Sequence, residues 1–377
     1  MPQLASLSTI PTPFVVIDRG RLERNIANMQ ARAKTAGVRL RPHAKTHKSP
    51  AIAQRQIEAG AKGICCAKLG EAEVFVAAGI GDIRLPYPIH PSNAERVLAL
   101  TDHAKISIVV DDESVASGWS DAMVAAGRRL AVLVKVDVGF HRCGVDPDRA
   151  DIPGVIHRIA KLPGLEFRGL LSHAGHSYLA KSGAEIEAIA KQEAEILNRL
   201  AEALRAADTP VPEISVGSTP TARFIASQPG VTEMRPGNYV FVDRTQVGLG
   251  AARLDDCAQS VVSTVVSRPT ADRVILDAGS KTLTSDGVRG FGNESGYGLV
   301  YPSLSTARPD PTLQIERLSE EHATVRVPAT CTLRIGDRVR IIPNHSCVVT
   351  NLADELILAD GETIVERLPV AARGKNT

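Results

Sequence analysis

Aromatic side chains are scarce in this sequence: one Trp, five Tyr and seven Phe make up 3% of its 377 residues. Its 44% hydrophobic fraction must therefore build a core from Ala, Val, Leu and Ile, as α/β proteins do. Net charge is scarce too, since 44 Lys and Arg against 42 Asp and Glu leave only +2. That balance excludes the concentrated basic face that a nucleic acid or an anionic membrane would need. No apolar run approaches membrane-spanning length, and Met1 to Ile10 lacks the basic and apolar regions of a signal peptide. The six cysteines (Cys65, Cys66, Cys143, Cys257, Cys331 and Cys347) show no disulfide-framework spacing and read as reduced, buried small hydrophobes. These absences point to a soluble cytoplasmic protein with no nucleic-acid and no membrane partner, long enough for two domains.

What is present is alternation. Residues 14–17 read as a short strand, and 21–36 as an amphipathic helix with Leu22, Ile26, Met29 and Ala33 on one face and Gly37 as its stop. Strand candidates follow at 39–41, 63–66, 83–85, 106–110, 131–136, 167–172, 213–216 and 232–235. Between them lie helical stretches such as 51–59, 70–78, 93–100, 114–126, 154–161, 184–206 and 221–225. Eight strands, each but the last followed by a helical segment, predict an α/β chain with a (β/α)8 TIM-type barrel. A doubly wound sheet is the competing arrangement. After Gly250 the runs at 261–266, 273–276, 313–318, 324–327, 338–342, 356–358 and 363–366 are β-like, split by Gly, Pro and Asp turns. The expected division is a barrel over 14–250 and a mostly β C-terminal domain over 251–377 that takes in residues 1–13.

Chemistry concentrates at predicted strand ends. Arg41-Pro42-His43-Ala44-Lys45-Thr46-His47-Lys48 follows the first barrel strand and precedes Ser49-Pro50, a helix N-cap with Pro at the first helical position. Lys45 thus falls just past a strand's C-terminal end, where α/β folds place their chemistry. Like charges at Arg41, His43, His47 and Lys48 would lower its pKa and favour a neutral amine able to form a Schiff base. A phosphate-binding or merely solvated basic loop is the other reading. Four more clusters end strands, at 137–144, 172–178, 216–220 and 235–239. Gly217, Ser218 and Thr219 in the seventh loop, with Gly237 and Asn238 in the eighth, are residues that cradle a phosphate. A phosphate and a Schiff-base lysine together suggest pyridoxal 5'-phosphate. In the second domain, Pro343-Asn344-His345-Ser346-Cys347 ends a β run. His345 and Cys347, two apart in an extended segment, would share a side, and imidazole plus thiolate suits zinc. Simple packing is the competing reading. No CxxC or second His pair completes four ligands, so a metal there would be open, as a catalytic ion must be.

Taken together, the 41–48 stretch, Gly63-Ile64-Cys65-Cys66-Ala67, Val136-Asp137-Val138-Gly139 with Arg142-Cys143-Gly144, Gly217-Ser218-Thr219-Pro220, Asp277-Ala278-Gly279-Ser280-Lys281 and His345-Ser346-Cys347 resemble the D-serine dehydratase and D-threonine aldolase family. These are pyridoxal-phosphate enzymes built like alanine racemase, a barrel followed by a β domain, and the motifs run in order from about residue 14 to 374. The resemblance implies that Lys45 is the Schiff-base lysine and that Arg142 lies near the cofactor's ring hydroxyl. It further implies that His173, Tyr178, Gly217, Ser218, Thr219, Gly237 and Asn238 hold ring and phosphate. Aldolases of the family carry His-x-Asp at the metal position and dehydratases His-x-Cys, so Cys347 implies a dehydratase. One departure is His173-Ala174-Gly175, where aldolase-like members have Tyr-His-Gly.

The implied reaction acts on a β-hydroxy D-amino acid such as D-serine, D-threonine or D-3-hydroxyaspartate. Lys45 removes the Cα proton, and Zn2+ (or Mn2+ or Mg2+) on His345 and Cys347 helps hydroxide leave, giving keto acid and ammonia. Retro-aldol cleavage to glycine and an aldehyde is the nearest rival. A racemase would need a second base, and a non-catalytic pyridoxal-phosphate carrier would need only the barrel. The resemblance also implies a homodimer with sites near the interface.

Overall fold

Strands buried on both faces need continuous apolar runs, and 105–110 and 130–135 supply them. In the structure, a computed structural model, residues 6–292 and 295–377 are described. Residues 1–5, which the sequence reading placed with the β domain, lie outside the described residues, as do 293 and 294. The first strand, β1 (Phe14–Asp18), leads into α1 (Arg19–Thr35). The chain then falls into two compact units, one of residues 6–27, 46–49 and 238–374 and the other of residues 28–45, 50–237 and 375–377.

The second of these units is the barrel. Its strands are β2 (Arg39–Leu40), β3 (Ile64–Cys65), β4 (Asp82–Pro88), β5 (Lys105–Val110), β6 (Leu130–Lys135), β7 (Leu165–Leu171), β8 (Glu213–Val216) and β9 (Glu233–Met234). All pair in parallel, in the order β2-β9-β8-β7-β6-β5-β4-β3. A parallel bridge between His43 and Cys65 joins the two ends, with the Cys65 N–H donating to the Pro42 carbonyl at 2.7 Å. Neighbours in sequence are neighbours in space all the way round, which is the barrel order and not the doubly wound one. The connecting helices are α2 (Pro50–Glu58), α3 (Leu69–Ala77), α4 (Ala94–Thr101), α5 (Glu113–Ala125), α6 (Ile152–Ala160) and α7 (Gly183–Ala206). The helix expected at 221–225 is instead a 3-10 turn, Thr221–Ser227.

Alternate residues of a strand share a face, and several barrel strands use that rule to bring charge inward. Glu213 and Ser215 come from β8, Glu233 and Arg235 from β9 and its end, and Arg84 from β4; all are buried. Glu233 accepts from Arg41 Nε at 2.9 Å, from Ser215 Oγ at 2.6 Å and from Arg84. Arg84 continues to Glu213 at 2.9 Å and to Ser107 Oγ at 3.0 Å. Arg235 donates to Ser215 Oγ at 2.6 Å and to the Ser172 carbonyl. Burial alone would raise the Glu233 carboxyl, but Arg84 and Arg41, with the Ser215 hydrogen bond, hold it down at about 2.

The other unit is mostly β. Its strands are β1, β10 (Gln259–Thr270), β11 (Arg273–Leu276), β12 (Leu299–Tyr301), β13 (Gln314–Leu318), β14 (Ala323–Arg326), β15 (Arg338–Ile342), β16 (Glu355–Asp360) and β17 (Thr363–Pro369). β1 pairs antiparallel with β10 and parallel with β16, so the first strand of the chain sits inside the C-terminal sheet. Its Val15, Val16 and Ile17 are buried there. Short helices α8 (Arg244–Gly248), α9 (Ser280–Leu283) and α10 (Ser346–Leu352) interrupt the strands. Among the described residues no helix is long and apolar enough to cross a membrane.

A carboxyl depressed in the folded state stabilises the fold above its unfolded pKa, and that contribution is lost as pH falls through the folded value. Glu233→Gln, which leaves Arg41 with Asp82 and Arg84 with Glu213 as their remaining carboxylates, is expected to cost about 3 kcal/mol at pH 7 in urea unfolding. It should also flatten part of the loss of stability between about pH 4.5 and pH 2. Wild-type unfolding by Glu233→Gln would contradict this account of the interior.

Candidate active site

Past β2 the chain tightens into a 3-10 turn, Ala44–Thr46, and α2 begins at Pro50. Lys45 is the exposed residue of that turn, between buried Ala44 and Thr46. The neighbouring basic residues do not all crowd it, contrary to the reading of the sequence. Arg41 is committed to Glu233 and to Asp82 (2.5 Å), Lys48 Nζ donates to the Ala372 carbonyl at 3.5 Å, and His47 Nδ1 lies 3.0 Å from the Ser49 carbonyl. Of the four, His43 stays with Lys45. The other cations come from later strands: Lys135 ends β6, Arg142 lies in the loop after it, and Arg235 follows β9. Burial, then the charges of Lys45, Arg235 and Lys135, hold His43 well below its ordinary pKa. Burial, Lys45, Lys135, Arg142 and Arg235 do the same to His173. Both imidazoles are therefore neutral. His173 Nδ1–H donates to the Gly217 carbonyl at 2.6 Å, which fixes the tautomer and leaves Nε2 bare. Lys135 is itself lowered to about 8, chiefly by burial, with Arg235 and Arg142 adding to the shift.

The loop after β6 is shaped by Asp137, whose carboxylate accepts from the Gly139 and His141 N–H groups and from His141 Nδ1, each at 3.0 Å. Gly144 closes the loop at φ +121, where a Cβ would stand 2.6 Å from the Asp137 nitrogen. Arg142 stacks over the Phe140 ring at 5.1 Å, and Phe140 meets His173 edge-on at 5.8 Å. After β7, Tyr178 lies on the 3-10 turn Gly175–Leu179. After β8, Ser218 Oγ is 3.1 Å from Ser177 Oγ and 2.8 Å from Thr221 Oγ1. Thr219 Oγ1 accepts from the Gly237 N–H at 3.3 Å, so the seventh and eighth loops meet. Behind them sits buried Glu193, pushed up by burial and drawn partly back by its hydrogen bonds to Ser172 and the Gly217 N–H. Clustered hydroxyls, a backbone N–H and four cations with neutral imidazoles between them suit an anionic phosphate and an aldehyde. Pyridoxal phosphate fits this residue set.

Asn238 falls differently. Its side-chain amide donates to Asp243, a buried carboxylate that also accepts from Gln246 N at 3.0 Å and Ser346 N at 2.8 Å. Asp243 thereby caps α8 and reaches the start of α10. His345 is the N-cap of α10 and Cys347 its second residue, so the pair occupies a helix start rather than the expected extended segment. Thr46 Oγ1 is 3.3 Å from Cys347 Sγ, and Asp286 Oδ2 is 2.6 Å from His345 Nδ1. Burial lowers the His345 pKa, but Cys347, Asp243 and Asp286 together raise it to about 10. Anions thus gather where a cation would replace that proton, and imidazole with thiolate suits a borderline-soft divalent ion. Among the described residues, no three His, Cys, Asp or Glu side chains are grouped to hold one ion. The protein would supply two ligands and leave the rest open.

Several of these residues were missed in the sequence. Lys135 carried a signal, as a lysine closing the apolar run Leu130–Lys135, and so did Arg84 between Ile83 and Leu85. Asp243, Asp286 and Glu193 carried none, because each matters through partners distant in the chain.

A parallel barrel with a lysine on the loop after its first strand, and a separate β unit, is the architecture of alanine-racemase-like enzymes. The family model "Alanine racemase, N-terminal domain" matches residues 17–245, and a model described as a serine dehydratase domain matches 258–359. The D-threonine aldolase of Arthrobacter sp. is 36% identical over 98% of this chain and 94% of its own. The D-threo-3-hydroxyaspartate dehydratase of Delftia sp. HT23 is 36% identical over 91% and 92%; its solved structure superposes with a TM-score of 0.90, covering 97% of this chain and 98% of that one. A cysteine-to-alanine mutant of a D-threo-3-hydroxyaspartate dehydratase, solved in the metal-free form, gives a TM-score of 0.91 at 34% identity, over 97% and 98% of the two chains. The chain belongs to the D-serine dehydratase and D-threonine aldolase family. It is a pyridoxal-phosphate-dependent lyase of that family.

Gly217 offers a direct test of the phosphate cradle expected from the sequence. A Cβ there would lie 3.2 Å from the Cβ, Nη2 and carbonyl oxygen of Arg235. Gly217→Ala is expected to raise the pyridoxal-phosphate dissociation constant about tenfold, equivalent to about 1.4 kcal/mol, in a fluorescence titration. An unchanged constant would remove Gly217 from the cofactor site.

Proposed function

We propose that this chain is a metal-assisted dehydratase of β-hydroxy D-amino acids, acting in the cytoplasm as a homodimer and giving keto acid and ammonia. The observation that carries this reading is Cys347. Identity does not choose between activities, since an aldolase and a dehydratase are equally similar at 36%. The donor set supports a choice: a thiolate beside His345 suits Zn2+, whereas the His-x-Asp of family aldolases would offer oxygen and suit Mn2+ or Mg2+. A dehydratase relative solved as a cysteine mutant in metal-free form fits a cysteine with that role in the relative.

Lys45 is the residue proposed to bond the cofactor, and His173, Tyr178, Gly217, Ser218, Thr219, Gly237 and Asn238 are proposed to seat it, with Arg142 at its ring hydroxyl. Pyridoxal phosphate, when bound, supplies an electron sink for the pair left behind at Cα. Lys45 then serves as the base that takes the Cα proton at Nζ. Neutral His43 and His173 keep two further positive charges away from a site that already holds Lys135, Arg142 and Arg235. His345 and Cys347 face the second problem, which is that hydroxide is a poor leaving group. A divalent ion held by them would supply a Lewis acid to the β-oxygen. The Cα–H and Cβ–O bonds break, water leaves, and a second water returns as the nitrogen departs as ammonia. Arg142 and Lys135 contribute fixed positive potential toward the phosphate and the substrate carboxylate.

Retro-aldol cleavage is the second reading, favoured by the similarity to the Arthrobacter enzyme. Incubation with D-serine, D-threonine and D-3-hydroxyaspartate separates the two. Keto acid and ammonia in equal amounts are expected, and glycine with an aldehyde as the main products would overturn the dehydratase reading. Lys45→Ala should lose both activity and the absorbance of lysine-bound cofactor; retention of that absorbance would move the role to another lysine.

A further inference from the structure

The ring of His345 is held by a carboxylate from a distant part of the chain. Asp286 Oδ2 lies 2.6 Å from Nδ1, across 59 residues of sequence. A carboxylate can only accept, so Nδ1 carries the hydrogen and the lone pair of the neutral ring sits on Nε2. The same hydrogen bond sets the ring's rotation and raises its basicity as a ligand. We propose that Asp286 is a positioning residue that presents His345 Nε2 to the metal; the proposal rests on the reading of His345 and Cys347 as metal ligands.

The bland alternative is a surface ion pair, since both side chains are about half exposed, and such pairs contribute little. What argues against it is how the Asp286 loop is fastened. Asn344, immediately before His345, is buried, and its Nδ2 donates to the Asp286 carbonyl at 3.0 Å and to the Gly296 carbonyl at 2.9 Å. Asn344 Oδ1 in turn accepts from Arg244 at 3.4 Å. A buried amide therefore ties the Asp286 backbone to the residue next to the proposed ligand, while the Asp286 side chain reaches the ligand itself. Two independent attachments fix one carboxylate against one imidazole. Cys347 has a matching brace in the Thr46 hydroxyl, 3.3 Å from its sulfur. No group of three His, Cys, Asp or Glu side chains for one ion is present among the described residues, which favours orienting His345 over direct ligation by Asp286.

The test is zinc affinity of the pyridoxal-phosphate-loaded protein, measured by competition with a chelating dye. Asp286→Ala should weaken Zn2+ binding about 10- to 100-fold, and Asp286→Glu should restore part of it. The cofactor dissociation constant and the thermal midpoint without zinc should not move. A zinc constant within about twofold of wild type in Asp286→Ala would overturn the proposal. So would a parallel loss of cofactor affinity or metal-free stability, which would make Asp286 merely structural. His345→Ala separates the two levels: if it loses zinc while Asp286→Ala keeps it, the positioning role fails alone. If His345→Ala also keeps zinc at wild-type affinity, the metal reading fails and the proposal falls with it.

Discussion

A carboxylate with no exposed surface can stay ionised only if cations meet it, and Glu233 is met by two arginines and a hydroxyl from three other strands. Arg41 arrives from the end of β2, Arg84 from β4, and the Ser215 hydroxyl from β8. Removing either arginine would leave the buried carboxylate short of a cation, so β2, β4 and β9 are held in register by electrostatics as well as by backbone pairing. The consequences run upward to the chemistry. Arg41 is anchored four residues before Lys45, which fixes where the 3-10 turn starts. Ser215 also accepts from Arg235, whose other donors reach the carbonyl of Ser172, the residue before His173. The loops after β7, β8 and β9 are thus tied to the same buried charge cluster as the lysine loop.

The barrel's own charges then sort themselves by sign and by protonation. Lys45, Lys135, Arg142 and Arg235 make a cationic field suited to phosphate and carboxylate, while His43 and His173 stay neutral in it. The surroundings of His345 are the reverse, because Cys347, Asp243 and Asp286 together favour positive charge there. One residue set welcomes an anionic cofactor and the other a metal cation. That contrast follows from which side chains were buried together, not from the net charge of +2, which conceals both.

Much of this was legible in the sequence and some of it was not. Barrel strands such as Lys105–Val110 and Leu130–Lys135 declare themselves by apolar runs, and Lys45 by its place after a strand. The cations around Lys45 were sought among its neighbours, yet they come from strands about 90 to 190 positions further on. Local sequence cannot report which distant strand ends share a barrel mouth. His345 and Cys347 were expected together in an extended segment; His345 is extended, whereas Cys347 lies in the first turn of α10. The extended reading missed that Asp243, 103 residues before Ser346, accepts its N–H and stabilises a helix start there. Asp286 was invisible for the same reason, since Ser285-Asp286-Gly287 reads only as a turn.

The proposed function is a division of labour, in which Lys45 would handle the cofactor and the Cα proton and a metal on His345 and Cys347 the departing hydroxyl. Treating the protein with a chelator and following keto-acid formation alongside the cofactor's absorbance tests that claim directly. The account predicts that turnover stops while the lysine-bound absorbance stays, and that added Zn2+ restores turnover. Full keto-acid formation in a preparation shown to be free of metal would contradict it.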